Sequence, residues 1–284
     1  MSKPVIAYLG PQGTFSDEAV RAFADLGFVS SAYDELPCAG IPEVFEATDT
    51  GRASFGVVPI ENSLEGPVTT VLDAFAFTSR SQILAELVLD VHQSLIVGDG
   101  ASLADVEVVA SHPQGIGQCR RFIDRRLPGR QIRMADSTAA AVGMAAADKT
   151  VAAIGSALAA ELVGATVLEE GIEDNASNQT RFVLVGPPAA AASVSHDGPG
   201  KATLALFIQC DRSGILNMIL SEFAYADVNL TMIQSRPTKR DLGDYMFFVD
   251  IDGYADEPHV ATALNCLRMK LREVKVIGSY PRAR

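Results

Sequence analysis

An α/β fold in two unequal parts is what the sequence predicts, on three observations. Residues 1–185 pass repeatedly from a short apolar run through a small polar turn into a helical run. Residues 186–200 are rich in proline, alanine and small polar residues. Residues 201–284 read strand, helix, two strands, helix, strand. Strands that alternate with helices imply βα units and parallel sheet covered on both faces. A length of 284 residues fits two domains better than one.

Taken in order, "VIAYL" leads into the helical run "GPQGTFSDEAVRAFADLG", and the strand "FGVVPI" ends in Glu61, Asn62 and Ser63 before Gly66-Pro67 turns the chain into a helix near Val68. Further on, "VEVVAS" leads to "HPQGIGQCRRFIDRRL", "IRMAD" to "STAAAVGMAAAD" and "VAAIG" to "SALAAELVG". Each turn carries helix-start chemistry: Thr14 with Asp17 fits a capping box, and Ser111, Ser137 and Ser156 stand where an N-cap belongs. "DNASNQTRFVLVG" then runs from a polar loop into a strand with Thr180 and Arg181 at the junction. In open α/β sheets ligands bind beyond the C-terminal ends of strands, so these hydroxyls and helix N-termini can converge on one crevice that suits an anion.

"GPPAAAASVSHDGPGK" reads as a linker. Beyond it, "KATLALFIQC", "SGILNMILSEFAYADV", the two strands of "NLTMIQSRPTKRDLGDYMFFVDIDG", "DEPHVATALNCLRMKLREV" and "KVIGSYP" give βαββαβ, a ferredoxin-like module.

The formal net charge of -12 argues against nucleic acid as a partner. The acidity is uneven: residues 201–284 hold 11 Lys and Arg against 10 Asp and Glu, so the first 200 residues carry all the excess. Four scattered cysteines, Cys38, Cys119, Cys210 and Cys266, have neither CxxC pairing nor a histidine at ligand spacing, so reduced thiols and no metal or other cofactor are expected. No secretion signal and no stretch of about 18 apolar residues is legible. A cytoplasmic protein without membrane attachment is expected.

"YLGPQGTFSDEA", "VVPIENSLEGPV", "ASHPQGIGQC", "STAAAV" and "NQTRFVLV" together resemble the signature segments of the prephenate dehydratase family, and residues 201–284 resemble its ACT regulatory domain. The resemblance implies a catalytic domain over 1–185 with two α/β lobes like those of type 2 periplasmic binding proteins, a linker over 186–200 and an ACT domain over 201–284. It implies a lyase of L-phenylalanine biosynthesis that converts prephenate to phenylpyruvate under feedback by L-phenylalanine. The family's TRF motif falls on Thr180, Arg181 and Phe182, which makes Thr180 the expected catalytic residue. Phe182 reads as core.

Prephenate is a dianion that becomes aromatic once its hydroxyl and ring carboxylate leave, so a donor at the leaving oxygen is the main requirement. Arg181 is either a substrate ligand or a structural ion pair. Glu61, Asn62, Ser63, Thr14, Ser111, Ser137 and Thr138 are the other expected substrate contacts. His112 suits a base by type, but it precedes Pro113 in a helix-start turn and reads equally as structural. In the ACT module the phenylalanine-binding segments fall on Gly214, Ile215, Leu216 and Asn217 and on Gln234, Ser235, Arg236 and Pro237, at an interface between copies in a dimer or tetramer. Isoleucine and glutamine replace the family's alanine and glutamate there. Two rivals stay open: arogenate dehydratase, and a non-catalytic amino-acid-sensing protein.

Overall fold

The computed structural model describes residues 3–192, 194, 196, 198–240 and 244–283. Ser193, Ser195 and Asp197 of the expected linker, and 241–243 in the turn expected between two C-terminal strands, lie outside the described residues.

The first lobe opens with β1 (Val5–Leu9), α1 (Phe15–Asp25), β2 (Asp34–Cys38), α2 (Ile41–Asp49) and β3 (Phe55–Asn62). A two-residue β4 (Gly66–Pro67) and α3 (Thr69–Asp73) follow; α3 continues as a π-helical turn (Ala74–Thr78) before β5 (Gln82–Asp90). The second lobe holds β6 (Ser94–Val97), β7 (Val108–Ser111), α4 (Pro113–Gln118), α5 (Arg120–Arg126), β8 (Gln131–Met134), α6 (Thr138–Ala147), β9 (Val151–Gly155), α7 (Ala157–Val163) and β10 (Thr166–Glu170). The chain then returns to the first lobe as β11 (Gln179–Gly186) and α8 (Pro188–Ala191). The C-terminal module is β12 (Gly200–Phe207), α9 (Ile215–Tyr225), β13 (Leu230–Pro237), β14 (Tyr245–Asp252), α10 (Pro258–Lys270) and β15 (Glu273–Pro281).

The second-lobe sheet has the order β10-β6-β9-β7-β8. Its β7 and β9 are buried along their whole length, as strands covered on both faces must be. The βα units give parallel pairs within each sheet, and antiparallel strands join them: β1 pairs β2 and β3 in parallel and β7 pairs β8 and β9 in parallel, whereas β11 runs antiparallel to β3 and β5, and β6 to β9 and β10. A parallel neighbour needs a crossover. The segments that pass between lobes, β5 to β6 and β10 to β11, have none.

In the C-terminal module the strand order β13-β14-β12-β15 is antiparallel throughout, with α9 and α10 packed on one face. Its other face does not meet solvent. Ala205, Phe207, Met246, Phe248, Ile277 and Tyr280 share one core with Val44, Phe45, Val58, Phe75, Ile83 and Val183 of the first lobe. β15 pairs β5 at Gly278 and Ile83, so one ten-stranded sheet runs through both parts. A Cβ at Gly278 would lie 2.6 Å from that of Ile83, and the contact therefore requires glycine. The expected linker is also less extended than its composition suggests: Pro188 at a first helical position and good helix formers after it build α8, whose Ala190 and Ala191 pack on the first-lobe core.

Candidate functional site

A cleft of about 820 Å³ lies between the lobes. Lobe one contributes Thr14, Asn62, Glu65, Thr69, Thr70, Thr180 and Phe182, and lobe two contributes His112, Gln114, Gln118, Ser137 and Thr138, with Gln93 on the connection between them. No lysine or arginine is among the lining residues, and the carboxylates of Glu65 and Asp136 are, so an anion held here must be met by hydroxyls, side-chain amides and backbone N–H groups. Ser137 caps α6 by accepting from the Ala140 N–H at 3.0 Å, and with Thr138 it brings the positive end of a ten-residue helix to the cleft wall.

The lobes touch where Gly13 meets α7. Gly13 has φ +81°, and a Cβ there would lie 2.8 Å from the Ala159 Cα; the Ser156 hydroxyl donates to the Gly13 carbonyl at 2.7 Å. Ser156 also caps α7. Beside this contact, burial pushes the Glu18 carboxyl up to about 7; the Ser156 hydroxyl pulls against that shift and Asp17 adds to it. The unfolded chain releases this proton first, near pH 4.5, so stability contributed by the neutral form is present at lower pH and is lost as pH rises from there to about 7. Glu18→Gln is expected to flatten that decline. Tm of variant and wild type followed from pH 4.5 to 7.5 checks it, and parallel curves would sink the assignment.

At the centre is a hydrogen-bonded knot on Asn62. Its Oδ1 accepts from the N–H groups of Leu64 at 2.9 Å and Glu65 at 3.0 Å, which fixes the amide orientation. Nδ2 must then face the strand β11, where it lies 2.9 Å from Thr180 Oγ1, 2.8 Å from Asn178 Oδ1 and 3.1 Å from the Gln179 carbonyl. Asn62 donates and Thr180 accepts. The Thr180 proton is thereby left for an acceptor in the cleft.

Of the residues expected from the sequence to contact substrate, Thr14, Asn62, Ser137, Thr138 and Thr180 line the cleft together, and Glu61, Ser63, Ser111 and Arg181 do not. Ser111 is fully buried and donates to the Ile154 carbonyl at 2.7 Å; the α4 N-cap is His112, whose Nδ1 accepts from the Gln114 N–H at 3.3 Å. Ser63 ties the loop instead, donating to the Ser177 carbonyl and accepting from the Gln179 N–H. Thr14 is an N-cap by position, but its hydroxyl donates to the Leu9 carbonyl and no capping box forms.

Arg181 is the main correction. Successive side chains of a strand point to opposite faces, so Thr180 in the cleft puts Arg181 behind the sheet. There its Nη1 lies 2.5 Å from Asp250 and 3.2 Å from Glu86, and its Nη2 lies 3.4 Å from Glu61, which accounts for Glu61 as well. Burial opposes the charge, and Asp250 and Glu86 outweigh it to keep the guanidinium protonated. Of the two readings of Arg181, the geometry favours the structural ion pair.

Sequence reading missed Gln93, Gln118, Gln114, Thr69 and Thr70. Gln118 and Gln114 stand inside the segment "ASHPQGIGQC", and Gln93 donates to Gln118 Oε1 at 3.2 Å; a search for charged chemistry passed over these neutral amides.

In the C-terminal module, Phe207 stands beside Met246 and Met246 beside Arg236, so the turn at Gly214 after β12 and the segment Gln234–Pro237 ending β13 lie at one end of the sheet. Gly214, with φ +81°, opens α9 in the left-handed region that favours glycine. Leu216, Asn217, Ser235 and Pro237 are exposed. Two expectations, Ile215 and Arg236, are corrected here, while the exposed bond of Gln234 leaves it open to a ligand. Ile215 is buried in the module's core, Gln234 donates to the neighbouring Ser235 carbonyl, and Arg236 pairs with Asp73 of α3 at 2.6 Å, because alternate residues of β13 face the first lobe.

The sequence model of the family described as prephenate dehydratase matches residues 6–190, and that of the ACT domain matches residues 202–266. The chain belongs to the prephenate dehydratase family. It is 39% identical over 278 residues to a prephenate dehydratase of Corynebacterium glutamicum, an alignment that covers 98% of this chain and 87% of that protein. The prephenate dehydratase of Arthrobacter aurescens solved in complex with L-Phe superposes with a TM-score of 0.88 at 35% identity, covering 98% of this chain and 90% of that one. A protein described as a novel type of quorum quenching acylase superposes at 0.85 with 30% identity, covering 98% and 97%. Fold and family therefore agree, and the second neighbour carries a different activity on the same architecture.

Proposed function

We propose that this chain is a prephenate dehydratase, a lyase that binds prephenate between the lobes and releases phenylpyruvate, water and carbon dioxide. The observation that carries the reading is the Thr180 hydroxyl, facing the cleft with its oxygen already accepting from Asn62 and its proton free. In the reaction the bond from the ring to its carboxylate breaks, its electron pair completes the aromatic ring, and the ring hydroxyl departs with one added proton as water. Thr180 donates a hydrogen bond to that departing oxygen, and solvent supplies the proton consumed overall. Ser137, Thr138 and the α6 N-terminus offset the substrate's carboxylates.

The ACT module binds L-phenylalanine at the Gly214 turn and the β13 end, between two copies of the chain. The unpaired outer edge of β13 supports self-association into a dimer or tetramer. Among the described residues no helix is long and apolar enough to cross a membrane, and a cytoplasmic location fits a biosynthetic lyase.

Phenylpyruvate formation is measured from prephenate, from arogenate, and with and without L-phenylalanine. Turnover of prephenate that phenylalanine suppresses is expected. Preference for arogenate would favour the rival dehydratase, and a folded chain with neither activity would favour the sensor or the acylase. Gly214→Val forces a β-branched residue to a positive φ, and is expected to raise the phenylalanine concentration for half-inhibition at least several-fold. Unchanged inhibition would remove this turn from the effector site.

A further inference from the structure

We propose that Asp250, a residue of the C-terminal module, is a positioning residue for Thr180, acting through Arg181. The inference rests on the reading of Thr180 as the donor in prephenate dehydration.

Thr180 is the second residue of β11, opposite Asn62 on one side and Leu89 on the other. The ladder to β3 is weak here: the pairing slips between Arg181, opposite Glu61, and Phe182, opposite Pro59, and proline offers no N–H. The ladder to β5 runs unbroken from Gln179 to Leu184, so on the β3 side it is the Arg181 side chain that adds a fixed point next to Thr180. Arg181 is 10% exposed and reaches Asp250 on β14 at 2.5 Å, its shortest ion pair. Asp250 is itself pinned, its Oδ1 accepting from the Thr203 hydroxyl at 2.7 Å, while the Thr203 oxygen in turn accepts from the Tyr280 hydroxyl. Lys201 answers Glu86 at 2.7 Å, so the deeply buried charges balance as two cations, Arg181 and Lys201, and two anions, Glu86 and Asp250.

Neutralising Asp250 leaves one positive charge in excess. The guanidinium then has only Glu86 and the half-exposed Glu61 to satisfy it, and both lie toward β5 and β3, not toward β14. Arg181 and Thr180 are adjacent on one strand, so a shift of the first turns the second against Asn62. Misplacement of a reacting group by about 1 Å costs up to about 10²-fold in rate. The C-terminal module thus supplies part of the scaffold of a hydroxyl that belongs to the other domain.

The test is full-length Asp250→Asn, with kcat and KM for prephenate measured below its Tm and compared with Leu264→Ala. Leu264 packs on the opposite, helix-covered face of the same sheet, with Val249 and Ile251, and its truncation is expected to lower Tm alone. Expected for Asp250→Asn is a fall in kcat of about tenfold or more with KM within about twofold, while Leu264→Ala keeps wild-type kcat. Asp250→Glu, which restores the charge, is expected to recover most of kcat. Wild-type kcat in folded Asp250→Asn overturns the proposal, as does an equal loss in Leu264→Ala. Should Asp250→Asn not fold, Thr203→Val, which releases Asp250 Oδ1, is expected to lower kcat at constant KM, and wild-type kcat there overturns it equally. Wild-type chain that fails to turn over prephenate overturns both this inference and the reading beneath it; wild-type turnover with an unaffected Asp250→Asn overturns this inference alone.

Discussion

Thr180→Ala is expected to lower kcat for phenylpyruvate formation by about 10²–10³-fold, the cost of losing one preorganised donor at a developing negative charge. The barrier lies in expelling a poor leaving group, and Thr180 is the cleft hydroxyl whose oxygen already accepts from Asn62 at 2.9 Å. Its donor function is therefore poised before substrate arrives. KM is expected to change little, because an interaction that strengthens only as the C–O bond breaks contributes to the transition state and not to ground-state binding. Thr180→Ser keeps the hydroxyl and is expected to lose much less, its remaining loss reflecting the freer rotor without the γ-methyl group. Steady-state kinetics on folded variants decide the matter. Alanine with near-normal kcat would remove Thr180 from the chemistry.

Arg181→Leu is expected to destabilise the fold by about 3–5 kcal/mol, because it leaves the carboxylates of Glu86 and Asp250 buried without the partner that justified burying them. Both side chains are 1% exposed, so solvent cannot relieve them. Lys201 still answers Glu86, so the uncompensated charge falls mainly on Asp250. Arg181→Lys keeps the charge but not the fork that spans three carboxylates, and is expected to lose less stability than leucine does. Neither change is expected to raise KM, since the guanidinium does not line the cleft. Urea unfolding together with KM for prephenate separates the two roles. A raised KM at wild-type stability would restore Arg181 as a substrate ligand.

Local signals carried a good part of this protein. The strand-to-helix turns of the lobes, the βαββαβ order, and the caps at Ser137 and Ser156 follow from apolar periodicity and from which side chains satisfy a helix's first N–H groups, and both are properties of neighbouring residues. Asn62, Thr180, Ser137, Thr138 and Thr14 were named as site candidates from segments scattered over the chain, and the fold brings them to one cleft.

What the residues could not say alone is which way a side chain faces once its strand is paired. Arg181 and Thr180 are adjacent in "TRF", and only the placement of β11 between β3 and β5 sends one to the cleft and the other to Asp250, 69 residues on. The same holds for Arg236, turned by the register of β13 onto Asp73, and for Ser111, drawn into the sheet by the Ile154 carbonyl. The docking of the C-terminal module was equally hidden. Its inner face reads as an ordinary alternating sheet, and whether that face covers its own helices or another domain depends on the complementary apolar surface that Phe45, Phe75 and Val183 present only after the first lobe has folded. Periodicity fixes which residues share a face; long-range pairing alone decides what that face meets.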